Sequence, residues 1–324
     1  MNRVIWVSWQ SHRRTDGLSK FFGISLFIIK TKQTGLFRYI LLSYRTLKLL
    51  ANERPEVLIV QNPSLILTVL ACILRPIFRY QLIVDAHNEG VVPYVNSGGH
   101  FVALTRLCHR LADVTIVTNE ELARVVEGNG GKAVVLPDSI PQPPEQINPS
   151  GANEKGGPLR ITIISTYAKD EPIAEIFRAL HEVKHEYRAW ITGDDRKCPD
   201  ALRRLAPKTI SFTGFLDELD YWQLLADSDL IIDLTLMENC LVCGLYEAMS
   251  LGVPIMLTDD VSARRLVPKG TVFTKADKDS IKNALDLSGD RLVALRTEMW
   301  AMAQAFRERW RMSAENLSVL INEK

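Results

Sequence analysis

Residues 237–256, MENCLVCGLYEAMSLGVPIM, bring two glutamates, a C-x-x-C pair and a glycine together at the start of an apolar helical pattern. Three kinds of chemistry use such residues. Cysteines at this spacing can hold a metal, but structural zinc takes four ligands, and no second Cys or His pair of suitable spacing occurs. A redox pair belongs early in a βαβ unit, which is not where Cys240 and Cys243 fall. Small packing residues are the plainer reading of both. The third chemistry is anion binding. The apolar spacing from Leu245 to Leu251, closed by Gly252 and Pro254, predicts a short helix whose amino end lies near Cys243 and Gly244. Backbone N–H groups and the positive end of the helix dipole suit a phosphate there. Glu247, about a turn inside, is placed to accept hydrogen bonds from ribose hydroxyls. Its alternative is a solvent-facing glutamate on a generic strand-loop-helix.

The elements that must position these residues are short β-branched runs separated by helical patterns. VIWVSW, EVLIVQ, QLIVDA and VTIVT in the first part, and LRITIIS, YRAWITG, TISFTG, DLIIDLT and VPIMLT in the second, read as strands without polar alternation. Such runs suit parallel strands covered on both faces. Between the two sets lies DSIPQPPEQINPSGANEKGGP, a linker by its Pro, Gly and polar content. The expected organisation is a first domain over 1–140, a linker over 141–158 and a second domain over 159–324, with the last helix packing back on the first domain. The fold class is α/β: two doubly wound, Rossmann-like parallel sheets facing across a cleft. In open sheets of this kind ligands sit beyond the carboxyl ends of the strands, so chemistry is sought in the residues that follow each strand.

On the first domain those residues include DAHNEG, which offers His87 as the titratable group with Asp85 and Glu89 beside it, and SWQSHRRTDG, which offers His12, Arg13 and Arg14. His87 is a candidate for direct participation or a structural hydrogen-bonding residue. His12, Arg13, Arg14 and Asn88 are assigned to the acceptor side, as phosphate contacts or entrance charge.

Composition narrows the class. The chain has 324 residues with 47% hydrophobic and 24% charged, ordinary for a folded globular protein and long enough for two cores. Five scattered cysteines and a start, MNRVIWVSWQ, unlike a signal peptide suggest a reducing cytoplasmic location. PSLILTVLACILRPIF is interrupted by Arg75 and Pro76 and falls short of the roughly 18 to 20 apolar residues of a spanning helix, so it is expected to be a buried core helix. The net charge of +1 conceals an asymmetry: residues 1–110 hold 14 Lys and Arg against 5 Asp and Glu, and the remainder 25 against 33. A basic first half marks either an anionic partner, such as a membrane surface or phosphates, or an unevenly solvated surface. KFFGISLFIIKTKQTGLFRYILLSYRTLK, which mixes apolar and cationic residues, is either an interfacial segment docking on anionic lipid or an amphipathic helix packed on its own sheet.

LMENCLVCGLYEAMSLGVPIMLTD resembles the carboxy-terminal signature of GT-B glycosyltransferases of the group 1 family, in which Glu, seven residues and a second Glu precede Ala-Met and a Gly-x-Pro turn. Glu247, Ala248, Met249, Gly252 and Pro254 fit; at the first glutamate's place stands Asn239, with Glu238 one residue earlier. VLIVQNPS, LIVDAHNEG and ISTYAKDEPIAEIFRAL also resemble segments of the eukaryotic β-mannosyltransferase family that extends the dolichol-linked chitobiose core, and FTGFLDELDYWQLLADSDL the base-binding strand and next helix of both groups.

The resemblance implies donor contacts. Ser165 and Thr166 would lie near the donor phosphates, with Lys169 adding positive charge and Gly193 on the neighbouring rim. Phe215 and Leu216 would pack beside the base. Asn239, Cys240, Leu241, Cys243 and Gly244 would cradle sugar and diphosphate, and Glu247 would hold the ribose. Gln61 falls where many group 1 enzymes carry a His touching the donor sugar, and the family's usual Arg and Lys pair has no clear match. The implied activity is metal-independent hexosyl transfer, with no cofactor, from a UDP- or GDP-linked sugar to a glycan or polyprenyl-linked saccharide, in surface polysaccharide or glycolipid synthesis. Such an enzyme would be cytoplasmic or peripheral on an anionic membrane face, with no nucleic-acid partner. His87, Glu238 and Gln61 form the catalytic set, and Glu238, Glu89 and Asp16 are unranked candidates for a base if transfer inverts. A nucleotide-sugar 2-epimerase of the same fold, or a catalytically silent glycan- or nucleotide-binding partner, are the alternatives.

Overall fold

The computed structural model describes residues 3–62, 64–92, 99–147 and 157–322, with the side chain of Glu89 outside that set. The chain divides into two compact units, Met1–Ser139 with Arg309–Lys324, and Ile140–Glu308.

The first unit runs β1 (Val4–Ser8), α1 (Arg13–Phe21), β2 (Ser25–Ile28), α2 (Gly35–Glu53), β3 (Val57–Asn62), α3 (Leu65–Phe78), β4 (Gln81–Ala86), α4 (Asn88–Val91), α5 (Gly99–Leu111), β5 (Val114–Val117), α6 (Glu120–Gly128) and β6 (Ala133–Val135). Its strands form one parallel sheet in the order β2-β1-β3-β4-β5-β6. Every residue of β3 is buried, as a central strand covered on both faces requires. On one face Leu42 and Leu50 of α2 and Leu67, Ala71 and Leu74 of α3 meet Leu58, Val60 and Val84 of the sheet. On the other, Leu18 of α1 packs with Trp6 and Ile59 and with Ala314, Leu317 and Ile321 from the end of the chain.

The second unit runs β7 (Leu159–Ile163), α7 (Ile173–Leu180), β8 (Tyr187–Thr192), α8 (Asp200–Leu205), β9 (Ile210–Gly214), α9 (Glu218–Ala226), β10 (Leu230–Ile232), α10 (Cys243–Leu251), β11 (Ile255–Thr258), α11 (Val261–Leu266), β12 (Thr271–Thr274) and α12 (Lys278–Ala284). The final helix, α13 (Gly289–Asn322), begins in it. The sheet is again parallel, in the order β12-β11-β10-β7-β8-β9. The chain builds outward from β7 through β8 to β9, then returns to place β10 on the other side of β7. That reversal leaves a crevice beyond the carboxyl ends of β7 and β10.

Two expectations need correction. α3 is a helix, but not a buried one: Ile66, Ile73 and Ile77 are exposed, because only one face of it meets the sheet. The basic segment from Lys20 to Lys48 is neither a single interfacial element nor one helix, since it contains the end of α1, the edge strand β2 and most of α2. The strands β2, β6 and β12, which the apolar runs did not announce, are all short and lie at sheet edges, where half-exposed positions weaken the apolar signal.

Candidate donor site and the rim of the first unit

The loops after β7 and β10 and the amino end of α10 meet at the strand-order reversal of the second unit. α10 starts at Cys243, as the sequence pattern predicts, with Val242 as an N-cap that makes no side-chain capping bond. Its second residue is the critical one. The Gly244 N–H donates to Asp233 Oδ2 at 3.0 Å. A Cβ at Gly244 would lie 2.4 Å from that oxygen and 2.5 Å from Ile164 Cδ1, so only glycine admits the carboxylate. The helix closes at Gly252, which takes the left-handed conformation and packs under the Trp300 indole.

Asp233 follows β10 into a half-buried position at the floor of the crevice. Burial, and then the negative neighbours Glu247, Glu171 and Asp170, push its carboxyl up to about 8, with the Gly244 N–H opposing the shift. At neutral pH this group is mostly protonated. Glu247, 4% exposed, accepts the Tyr221 hydroxyl of α9 at 2.6 Å.

The loop after β7 is organised around Glu171. Its carboxylate accepts the hydroxyls of Ser165 and Thr166 at 2.7 and 2.6 Å and the backbone N–H groups of Thr166 and Tyr167 at 2.9 and 3.0 Å. Tyr167 has φ +58, so its N–H and that of Thr166 form an anion-holding concavity that an internal carboxylate fills. Asp170 ties this loop to the one after β10 by accepting the Thr235 hydroxyl at 2.9 Å. Gly193, at the end of β8, lies so close to the Ser165 carbonyl that a Cβ would sit 2.2 Å from it. Lys169 is exposed and forms no ion pair among the described residues, which makes it the available cation of this loop.

The remaining donor-side residues fall as follows. Phe215 is 85% exposed on the loop after β9, and Leu216 beside it is half-buried. Glu238 is exposed. Asn239 has φ +55, donates its N–H to Asp260 Oδ2 at 2.9 Å and accepts the Ser262 hydroxyl at 3.3 Å. Asparagine tolerates that left-handed backbone far better than most residues, which accounts for its presence at the place of the first signature glutamate. Cys240 is half-buried and Cys243 exposed, both as thiols. With Leu241, Val242 and Asp260, Cys240 lines a small cavity above the ends of β10 and β11. Among the described residues no group of three or more His, Cys, Asp and Glu could hold a metal ion.

In the first unit Arg14 of α1, Asp85 near the end of β4 and Asp138 beyond β6 form an ionic core. Arg14 is not available to an acceptor phosphate: its side chain is buried, donating to Asp85 at 3.0 Å, to Asp138 at 2.6 Å and to the Leu136 carbonyl at 2.8 Å. Burial acts to lower its basicity, but Asp85 and Asp138 outweigh it and keep the guanidinium charged. Arg13 and His12 are exposed at the start of α1. The His12 ring lies 4.3 Å, centroid to centroid, from that of His87. Desolvation carries the His87 imidazole down to about 4, with Asp85 opposing and Arg14 and His12 reinforcing, and desolvation likewise lowers His12. His87 Nε2 is buried without a hydrogen-bond partner among the described residues. Asn88 opens α4 directly after it. Gln61, at the end of β3, is buried and accepts the Ser8 hydroxyl.

Asp233, Glu171 and Tyr221 belong to this site but were not among the candidate site residues; Glu171 and Tyr221 lie in segments that carry the resemblance. Asp233 was legible only as a polar residue interrupting an apolar run, IIDLT, at a strand end.

Two parallel, doubly wound sheets, one in each unit, define the GT-B class of fold. Within it, residues 159–287 match the model of the glycosyl transferases group 1 family. Solved structures agree on the fold across the whole chain. Sucrose-phosphate synthase from Thermosynechococcus elongatus superposes with a TM-score of 0.80 at 13% identity, covering 99% of this chain and 98% of that one. Anabaena HepE in complex with UDP and glucose gives 0.76 at 14% identity, covering 98% and 100%. The lipopolysaccharide outer core galactosyltransferase WaaB gives 0.67 at 14% identity, covering 98% and 99%. No curated protein matches the chain by sequence.

Proposed function

We propose that the chain transfers a hexosyl group from a nucleoside diphosphate sugar to a glycan or lipid-linked saccharide. The observation that carries this reading is the amino end of α10 with Glu247 one turn inside it, at the strand-order reversal of the unit that matches the group 1 family. HepE, of the same fold, is solved with UDP and with UDP-glucose, which favours a uridine donor.

In this reading the diphosphate lies over the first turn of α10, where the helix dipole and Lys169 offset its charge. Asp233, neutral below about pH 8, adds no negative charge beneath it and can turn a proton toward a phosphate oxygen. The Glu247 carboxylate receives the ribose hydroxyls, and the exposed Phe215 ring offers its face to the base. Ser165 and Thr166 reach the phosphates only when Glu171 yields its place. His87 and Gln61 are the catalytic candidates of the first unit, and Glu238 that of the second. The acceptor is held on the basic first unit at a cytoplasmic membrane face, and the product belongs to surface polysaccharide or glycolipid synthesis. Among the described residues no helix is long and apolar enough to cross a membrane, which suits a peripheral enzyme.

A thermal-shift titration with UDP, GDP and their sugars tests the donor site, because a ligand that binds only the folded chain raises the midpoint with concentration. A uridine ligand is expected to raise it; no shift with any nucleotide, while a control protein responds, ends the reading. Release of UDP that requires an added acceptor separates transfer from the alternatives. An epimerised sugar without acceptor would instead identify a 2-epimerase, and binding without turnover a silent partner.

A further inference from the structure

We infer that the outer faces of α2, α3 and α5, with the basic cavity at the amino end of α2, form a docking surface for an anionic lipid bilayer. The inference deepens the acceptor half of the proposed transfer and rests on it only for its biological purpose. α2 packs beside α3, and α3 beside α5, so the three helices make one layer on the first sheet. Their inner residues supply the core, yet the outer side is not the polar surface such helices normally turn to water. Phe37, Ile40 and Tyr44 of α2, Ile73 and Ile77 of α3 and Phe101 of α5 are each more than half exposed. Single exposed apolar residues need no explanation, but a layer of them across three adjacent helices does.

Charge identifies the occupant. The three helices carry Arg38, Arg45, Lys48, Arg75, Arg106 and Arg110 against a single carboxylate of their own, Glu53, which is paired with Arg3; among the described residues Arg75 alone of these cations is neutralised, by Asp113 just beyond α5. Lys30, Lys32 and Arg38 line an open cavity of about 400 Å³ with Trp9 beside them. None of Lys30, Lys32, Arg38, Arg45 and Lys48 forms an ion pair among the described residues. Apolar side chains interleaved with unpaired cations describe a helix lying in the headgroup region, with phosphates held by the cations and rings sunk into the acyl boundary. A second copy of the chain fits poorly, because a two-fold contact would set this cationic face against itself.

Vesicle cosedimentation of the full chain tests the inference, using phosphatidylcholine vesicles and vesicles with about a third phosphatidylglycerol. The chain is expected to pellet with the anionic vesicles only, and to be released as salt rises toward 0.5 M, where the Debye length falls to a few ångström. Lys30→Glu/Lys32→Glu is expected to reduce partition more than tenfold, since each cation near such a surface is worth about fivefold. Phe37→Ser/Ile40→Ser/Tyr44→Ser is expected to abolish it. All five side chains are exposed or nearly so, and the variants should keep the far-UV circular dichroism and nucleotide-induced thermal shift of the parent. The inference is overturned if the parent stays in the supernatant with every lipid, if either variant binds as the parent does, or if the triple variant instead dissolves a lipid-free dimer. Vesicle binding without any nucleotide response would leave the docking surface standing and remove the transferase reading.

Discussion

The Asp233 carboxylate occupies the second N–H of α10, 3.0 Å from the Gly244 nitrogen, where a donor phosphate is expected to bind. Glu171 does the same to the N–H groups of Thr166 and Tyr167 across the crevice. Both anion-receptive ends of the proposed donor site are therefore held by the protein's own carboxyls. The two differ in consequence, because Asp233 sits desolvated among other acids and gives up its charge, whereas Glu171 is ringed by donors.

The first prediction concerns Asp233. Its carboxyl titrates near pH 8 in the folded chain and near 3.9 in the unfolded one. Between those values the folded state binds the extra proton, so stability is full at low pH and falls as pH rises toward 8. Asp233→Asn should remove a decline on the order of a few kcal/mol over that window. UDP affinity of the parent should also weaken above pH 8 while that of the variant stays flat. Parallel melting-temperature profiles from pH 5 to 9 would defeat the assignment.

Gly244→Ala is predicted to lose both stability and donor binding. The new Cβ meets Asp233 Oδ2 and Ile164 Cδ1 at 2.4 and 2.5 Å, and neither is the free end of a long side chain. A cost of about 1 to 3 kcal/mol follows for such overpacking, or roughly 2 to 4 °C of melting temperature per kcal/mol in a domain of this size. Calorimetry with and without UDP measures both effects; an unchanged melting point would mean that the contact relaxes freely.

Legibility in the sequence followed burial. The strands β3, β4 and β10 are covered on both faces and stand out as uninterrupted apolar runs, whereas the edge strands β2, β6 and β12 are not distinguishable from loops. α10 was readable because Gly252 and Pro254 mark its end and the apolar spacing its body. Arg14 was misread as an entrance charge because its type says nothing of the two aspartates that bury it, 71 and 124 residues away. For the same reason the acids around Glu247 were invisible: Asp170, Glu171 and Asp233 are polar residues at loop positions, and only the strand-order reversal brings them together.

Glu247→Gln is predicted to keep the fold and lose the ribose contact. The amide preserves shape and a partner for the Tyr221 hydroxyl, so the melting point should move little. A hydrogen bond to a charged group is worth about 1.5 to 3 kcal/mol, so UDP should bind about ten- to a hundredfold more weakly. Calorimetric titration with 2′,3′-dideoxy-UDP provides the control: parent and variant should bind it equally. If the variant loses as much affinity for the dideoxy ligand as for UDP, Glu247 does not hold the ribose.

Removing Arg14 should be costly in a way that removing its whole pair is not. Arg14→Met leaves Asp85, whose side chain is fully buried, without its cation, a loss of about 3 to 5 kcal/mol. Arg14→Met/Asp85→Leu should recover much of that, since an apolar pair of similar volume avoids the desolvation of both charges. Urea denaturation of the three proteins decides it; a double variant no better than the single one would show that Asp138 or the Leu136 carbonyl dominates.

The last prediction is for His87, which faces His12, Asp85 and Arg14, with Asp138 behind them. Its imidazole titrates near 4 in the folded chain against about 6.5 when unfolded. Between these values the unfolded state binds the extra proton, so stability is full above pH 6.5 and is lost as pH falls toward 4, by on the order of 3 kcal/mol. His87→Gln should flatten that slope without lowering the melting point much at pH 7.5. If His87 also takes part in transfer as a neutral imidazole, the parent's kcat should stay level from pH 5.5 to 7.5, and the variant's should be reduced throughout. A parent rate that climbs with a midpoint near 6.5, absent in the variant, would keep the neutral ring as the active form but return its pKa to the unshifted value, and would require the ring to sit in water rather than in the cluster around Asp85.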